Sequence, residues 1–203
     1  ICAGSHLVGM FTLAFLIAGG SELIPATADR ARYVADFLPR WRLGWATWMF
    51  AAPTLIGFYS WWAARIPQSG PALAGVVVAA VGMCFDWLGE SVYVAWLPDF
   101  ALQQTNDAES LAKFAQVQQF ATMLTAGVAN GLYTLGGIIL TLASPWLQGR
   151  LRATAWIIWT AGIGMSVSAV LESPHGAAVC SAILFPLLTM WCFWMGRAKP
   201  CVE

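Results

Sequence analysis

Four stretches of the chain carry no Asp, Glu, Lys or Arg: residues 43–64, 114–149, 153–171 and 173–196. Each reaches the roughly 20 apolar residues that carry an α-helix across a bilayer. Residues 1–21 are apolar up to Glu22, and 66–85 are uncharged until Asp86 interrupts a segment that otherwise runs on to Trp96. The pattern predicts an all-α polytopic membrane bundle of six spans forming one domain, at about 3–21, 43–64, 71–97, 117–143, 153–171 and 177–196. Pro53 and Pro186 are expected to kink the second and sixth spans.

Two connections are long. The first opens with Pro25-Ala26-Thr27-Ala28-Asp29, a helix start, after which Tyr33, Val34, Phe37 and Leu38 line one face with Arg30, Arg32 and Asp36 elsewhere. That spacing predicts an amphipathic interfacial helix near 28–38. The second connection contains Thr105-Asn106-Asp107-Ala108-Glu109, a capped start leading without a break into span four. Ala26-Thr27-Ala28 also has the small-residue pattern of a leader cleavage site, but no basic segment precedes the apolar run. The chain opens on Ile1 rather than Met, so the sequence is expected to begin earlier.

Composition narrows the function classes. The chain is 59% hydrophobic and 10% charged, against about a quarter charged in soluble domains, which leaves no room for a soluble catalytic domain. A net charge of zero gives no basis for binding nucleic acid. Five cysteines form no CxxC pair, so Cys84 and Cys192 read as small packing residues. His6 and His175 fall on opposite sides of the predicted bundle and do not suggest a shared haem or metal.

Orientation follows from finer charge detail, because the Lys and Arg residues divide evenly between the two sides. Arg65, Arg150, Arg152, Arg197 and Lys199 occupy short connections on the side of both termini, and most acidic connection residues lie opposite. Both termini are therefore expected to be cytoplasmic. Twelve tryptophans, with Trp146, Trp156, Trp159, Trp191 and Trp194 near predicted span ends, read mostly as interface anchors.

Span three carries the one chemically unusual pattern. Asp86 and Glu90 lie a helical turn apart, on a stripe with Met83 and Tyr93. A carboxylate at this depth costs about 2.5–3.5 kcal/mol on insertion scales, so Asp86 must face protein or water. Either the pair is a functional site, or it is interhelical glue bonded to Asn130, Tyr133, Thr134 or the Ser166 and Ser168 pair. Gly75, Gly82 and Gly89 recur every seven residues, and Gly127 with Gly131 forms a GxxxG motif. Both predict close helix packing, with spans three and four meeting each other; an oligomer interface is the alternative.

Pro25-Ala26-Thr27-Ala28, Arg42-Leu43-Gly44 at the start of span two, and Gly131-Leu132-Tyr133-Thr134-Leu135-Gly136 before a Pro-containing basic turn together resemble an uncharacterised bacterial six-span membrane family. It is known only as a domain of unknown function (DUF, number four-three-eight-six). The resemblance implies six spans in a bacterial inner membrane and supplies no catalytic residues.

Two function classes remain. The first is a non-enzymatic membrane protein, an accessory subunit of a larger complex or a binder of a lipid-like or pigment molecule. It rests on the absence of a nucleophile constellation, phosphate loop or metal cluster. The second is a small proton-coupled transporter using Asp86 and Glu90, against which stands the lack of an inverted repeat. An enzyme ranks below both, since carboxylates without histidine partners make a thin catalytic set.

Overall fold

The computed structural model describes residues 1–67, 69–103 and 108–197, and among them every regular element is helical. Seven helices follow in order: α1 (Cys2–Gly20), α2 (Thr27–Asp36), α3 (Leu38–Ala63), α4 (Gly70–Gln103), α5 (Ala108–Ala143), α6 (Gly149–Val170) and α7 (Pro174–Arg197). Five of them, α1, α4, α5, α6 and α7, are long and apolar enough to cross a membrane. The chain is thus an all-helical bundle consistent with an integral membrane protein. Helix α3 has 26 residues but is not among the five. Its five tryptophans, together with Arg40 and Arg42, dilute the hydropathy that length alone would give it.

Six of the helices close a ring. α1 packs on α3, α3 on α4, α4 on α5, α5 on α6, α6 on α7, and α7 returns to α1. Large apolar side chains point outward from the ring, among them Phe15, Leu73, Leu135, Ile163 and Val179; α3 contributes Leu43 and Phe50 to the same surface. Pro53 and Pro186 lie inside continuous helices. α6 ends in a Schellman motif: the Ser173 N–H bonds to the Ser168 carbonyl at 2.8 Å, and the Glu172 N–H bonds to Ala169 at 3.2 Å. Glu172 holds the left-handed position at φ 53 that glycine usually takes. Helix α7 then starts at Pro174, so His175 and Gly176 belong to its first turn rather than to the preceding loop.

α4 and α5 overshoot a bilayer. Their 34 and 36 residues extend about 51 and 54 Å at 1.5 Å per residue, against a hydrocarbon core of about 30 Å. The surplus is used by α2, which packs on the end of α4 and the start of α5. Its buried stripe is Arg30, Ala31 and Val34. Of the sequence-predicted face, Val34 docks with Tyr33 packed beside it, whereas Phe37 forms the break before α3 and Leu38 opens that helix. The apolar side of α2 meets protein, and Arg30, expected on its solvated side, lies 9% exposed within the contact. The capped start at Thr105-Asn106-Asp107 and the tail containing Lys199 fall outside the described residues.

Two separate cores result. Near the termini, Tyr59, Trp62, Ile158, Trp159, Trp191 and Met195 fill the ring. At the opposite end, Ile17, Val34, Trp41, Tyr93, Leu97 and Phe114 join the ring to α2. Trp159 and Trp191, expected as interface anchors, are 2% and 0% exposed and belong to the first core.

Candidate functional site: an acidic cavity between the two cores

Between the cores the ring borders a partly open cavity of about 550 Å³, a size within the range of small-molecule sites. All six ring helices line it, and its walls are mainly apolar. Asp86, Glu90 and Tyr93 of α4 reach it, as do Asn130 and Tyr133 of α5, so the structure gathers the five polar residues singled out by sequence around one space. They are not one hydrogen-bonded unit. Tyr133 donates its hydroxyl to Asp86 Oδ2 at 3.0 Å. Asn130 turns to α6, donating to the Gly162 carbonyl at 2.7 Å and to Ser166 Oγ at 2.9 Å. Tyr93 shares a 2.6 Å hydrogen bond with Thr122, which donates to Glu22 Oε2 at 3.1 Å. Glu90 is 2% exposed, and its Oε2 has no hydrogen-bond partner.

The glycines explain how α4 is held. A Cβ at Gly75 would meet the Gly136 carbonyl, at Gly82 the Ala129 carbonyl and at Gly89 the Ala121 carbonyl, each at 3.0 Å. The seven-residue repeat is therefore a seam against α5, and Gly136 is its counterpart there. Gly127 and Gly131 instead face Ala169 and Ser166 of α6. The GxxxG motif packs α5 on α6, which is why Asn130 bonds to Gly162 and not to the carboxylates.

Three π-helical turns, Leu13–Ile17, Val92–Trp96 and Met123–Ala129, all contribute to the cavity wall. A π turn disturbs the regular backbone ladder, and neighbouring side chains bond to its carbonyls. Tyr33 donates to Leu16 at 3.1 Å, Trp41 to Tyr93 at 2.8 Å, Arg42 to Val94 at 3.1 Å and Ser166 to Ala126 at 3.2 Å. Such turns recur at functional sites. No residue pattern announces them.

His6, expected as an isolated polar residue, is 4% exposed and lines the cavity. Its Nδ1 lies 2.9 Å from the Cys2 carbonyl and 3.6 Å from Cys2 Sγ, which is 3.9 Å from Cys192 Sγ. The imidazole and Asp86 line the same cavity. Trp48 meets it edge-on, with ring centroids 6.2 Å apart. Among the described residues no three His, Cys, Asp or Glu side chains form a set that could hold a metal ion.

At the α2 end, Arg30 fastens the rim. Its guanidinium donates to the Ile24 carbonyl at 2.8 Å, to Thr27 Oγ1 at 3.2 Å and to Gln118 Oε1 at 3.0 Å, and Gln118 donates to the Gly20 carbonyl at 2.8 Å. The segment after α1 is thereby tied to α2 and α5. Burial lowers the Arg30 pKa from its ordinary value, an effect opposed by the charge of Glu22. Burial likewise raises the Glu22 carboxyl, against the Thr122 hydrogen bond and the Arg30 charge. The chain matches no family model, no curated protein and no solved structure.

Proposed function

We propose that this protein is a non-enzymatic integral membrane protein that holds a lipid-like or other hydrophobic molecule inside its helical ring. The observation that carries this reading is the cavity of about 550 Å³ with mainly apolar walls at the centre of a membrane bundle. In this reading α3 is a sixth span. It occupies its own place in the ring between α1 and α4 and exposes Leu43 and Phe50 as its neighbours expose their apolar residues. Helix α2 sits at the membrane boundary as a docked cap, and both termini face the cytoplasm of a bacterial inner membrane. Cysteines placed at the exposed Arg32 and Ala64 positions should label from opposite sides; labelling from the same side would show that α3 does not cross.

A photoactivatable uncharged lipid probe in liposomes tests the binding. Labelling of Met10, Met165 or Phe185 on the cavity wall is the expected result. Labelling confined to outward residues such as Phe15, Leu73 and Leu135 would contradict it.

Proton-coupled transport is the second reading. It is favoured by the polar groups from Glu22, Thr122 and Tyr93 through Glu90 and Asp86 to His6, all of which line the cavity. Proton-linked solute flux in proteoliposomes, lost in Asp86→Asn with normal assembly, would establish it over simple binding.

A further inference from the structure

The charges lining the cavity are one-sided. Glu22, Asp86 and Glu90 contribute three carboxyl groups, and among the described lining residues there is no lysine or arginine. His6 is the one basic side chain there, and its Nδ1 is engaged by the Cys2 carbonyl. The three carboxyl groups are not equivalent. Asp86 accepts from Tyr133 and Glu22 accepts from Thr122, while Glu90, the most deeply buried of the three, leaves Oε2 without a partner. A buried carboxylate oxygen with no donor is costly unless a cation or donor completes it.

The wall beside these groups is aromatic. Trp45 stacks on Tyr93 with centroids 3.9 Å apart and an interplanar angle of 6°, and Trp48 packs on Phe185 at 4.8 Å. Tryptophan faces attract cations, most strongly where water is excluded, and aromatic walls are a recurring way of holding quaternary ammonium groups.

We propose that the cavity takes a lipophilic cation, a drug-sized protonated amine or quaternary ammonium. Its charge is held by Glu90 and Asp86 and its apolar body lies against Trp45, Trp48 and Phe185. The proposal rests on the hydrophobic-ligand reading and specifies the sign of the ligand's charge, which that reading leaves open.

Tetraphenylphosphonium and tetraphenylborate have the same shape and opposite charge, and they separate the two ideas. In an uncharged maltoside detergent, saturable quenching of tryptophan fluorescence should show the phosphonium binding at least about tenfold more tightly than the borate, a difference of about 1.4 kcal/mol. Glu90→Gln, which keeps the side-chain shape, should remove most of that preference. Adding phosphatidylethanolamine identifies the source of the cation: competition assigns it to a lipid headgroup, and an unchanged affinity assigns it to a free amine. Equal binding of the two ions by the wild-type protein, with lipid labelling intact, overturns the cation proposal and leaves the hydrophobic-ligand reading standing. Failure of the lipid probe as well removes both. The wild-type ion comparison decides the matter even if Glu90→Gln does not fold.

Discussion

The two ends of the ring use the same residue type in opposite ways. Near the termini, Trp62, Trp159 and Trp191 meet edge to face, with centroids 5.1 and 5.9 Å apart. Each indole there has an acceptor: Ser144 Oγ at 2.8 Å, Thr141 Oγ1 at 2.8 Å and the Leu151 carbonyl at 2.9 Å. These side chains reach across from α3, α6 and α7 and plug the ring. On the cavity wall, Trp45 and Trp48 have buried indole nitrogens with no acceptor, and Glu90, which lines the same cavity, has an oxygen with no donor. In the proposed reading the unsatisfied indoles mark space kept for a ligand, although Trp41 and Trp159 also line the cavity and both have acceptors. Trp146 shows the limit of that reading, since its nitrogen is also unpartnered and it does not line the cavity.

Truncation should expose the contrast most strongly. Trp62→Ala or Trp191→Ala removes a fully buried side chain and the hydrogen bond its indole makes across the ring, so a loss of about 3–5 kcal/mol is expected in detergent unfolding. Trp48→Ala, on a wall that already borders empty space, should cost about 1 kcal/mol and act mainly on ligand binding. Equal losses at the two ends would erase the distinction.

Arg30→Met comes next. It deprives Gln118 Oε1 and the Ile24 carbonyl of a charged donor, an expected cost of about 1.5–3 kcal/mol. The readout is faster hydrogen exchange in α2 and at the start of α5, with α6 and α7 unaffected.

Asp86 separates structure from chemistry. Asp86→Leu strands the Tyr133 hydroxyl and should cost about 1–3 kcal/mol. Asp86→Asn keeps an acceptor and should cost less than about 1 kcal/mol. If both variants unfold alike, the Tyr133 contact is not what Asp86 supplies.

The smallest effect concerns Glu22 and pH. The folded protein holds the Glu22 proton more tightly than the unfolded chain does, because burial raises its pKa above 4.5. Its contribution to stability is therefore fully present below that unfolded value and declines as pH rises through the higher folded one. Glu22→Gln should flatten this part of the pH dependence of Tm. A steeper dependence in the variant would reverse the sign assigned here.

Five helices long and apolar enough to cross a membrane could be read from the sequence as long uncharged runs, while the run at 43–64 lies in α3, which is not among them. The α4 seam was legible in the spacing of Gly75, Gly82 and Gly89, and Asp86 declared itself by its cost. Other features depend on tertiary partners that no local pattern encodes. Arg30 looks like any solvated cation on an amphipathic helix until α5 supplies Gln118. Gly127 and Gly131 promise a close contact without naming the helix. The role of each tryptophan depends on whether an acceptor lies across the ring. The π turns are fixed by side chains from other helices, as Trp41 and Arg42 show at Val92–Trp96.

The central claim is that the space between the cores is a binding site and not a packing defect. Native mass spectrometry of the protein extracted in mild detergent tests it most directly, comparing wild type with Ala178→Trp, which fills the cavity from α7. The account predicts a stoichiometric small-molecule adduct on the wild type that disappears in Ala178→Trp while Tm is maintained. A wild type with no adduct, or an adduct retained unchanged in Ala178→Trp, would contradict it.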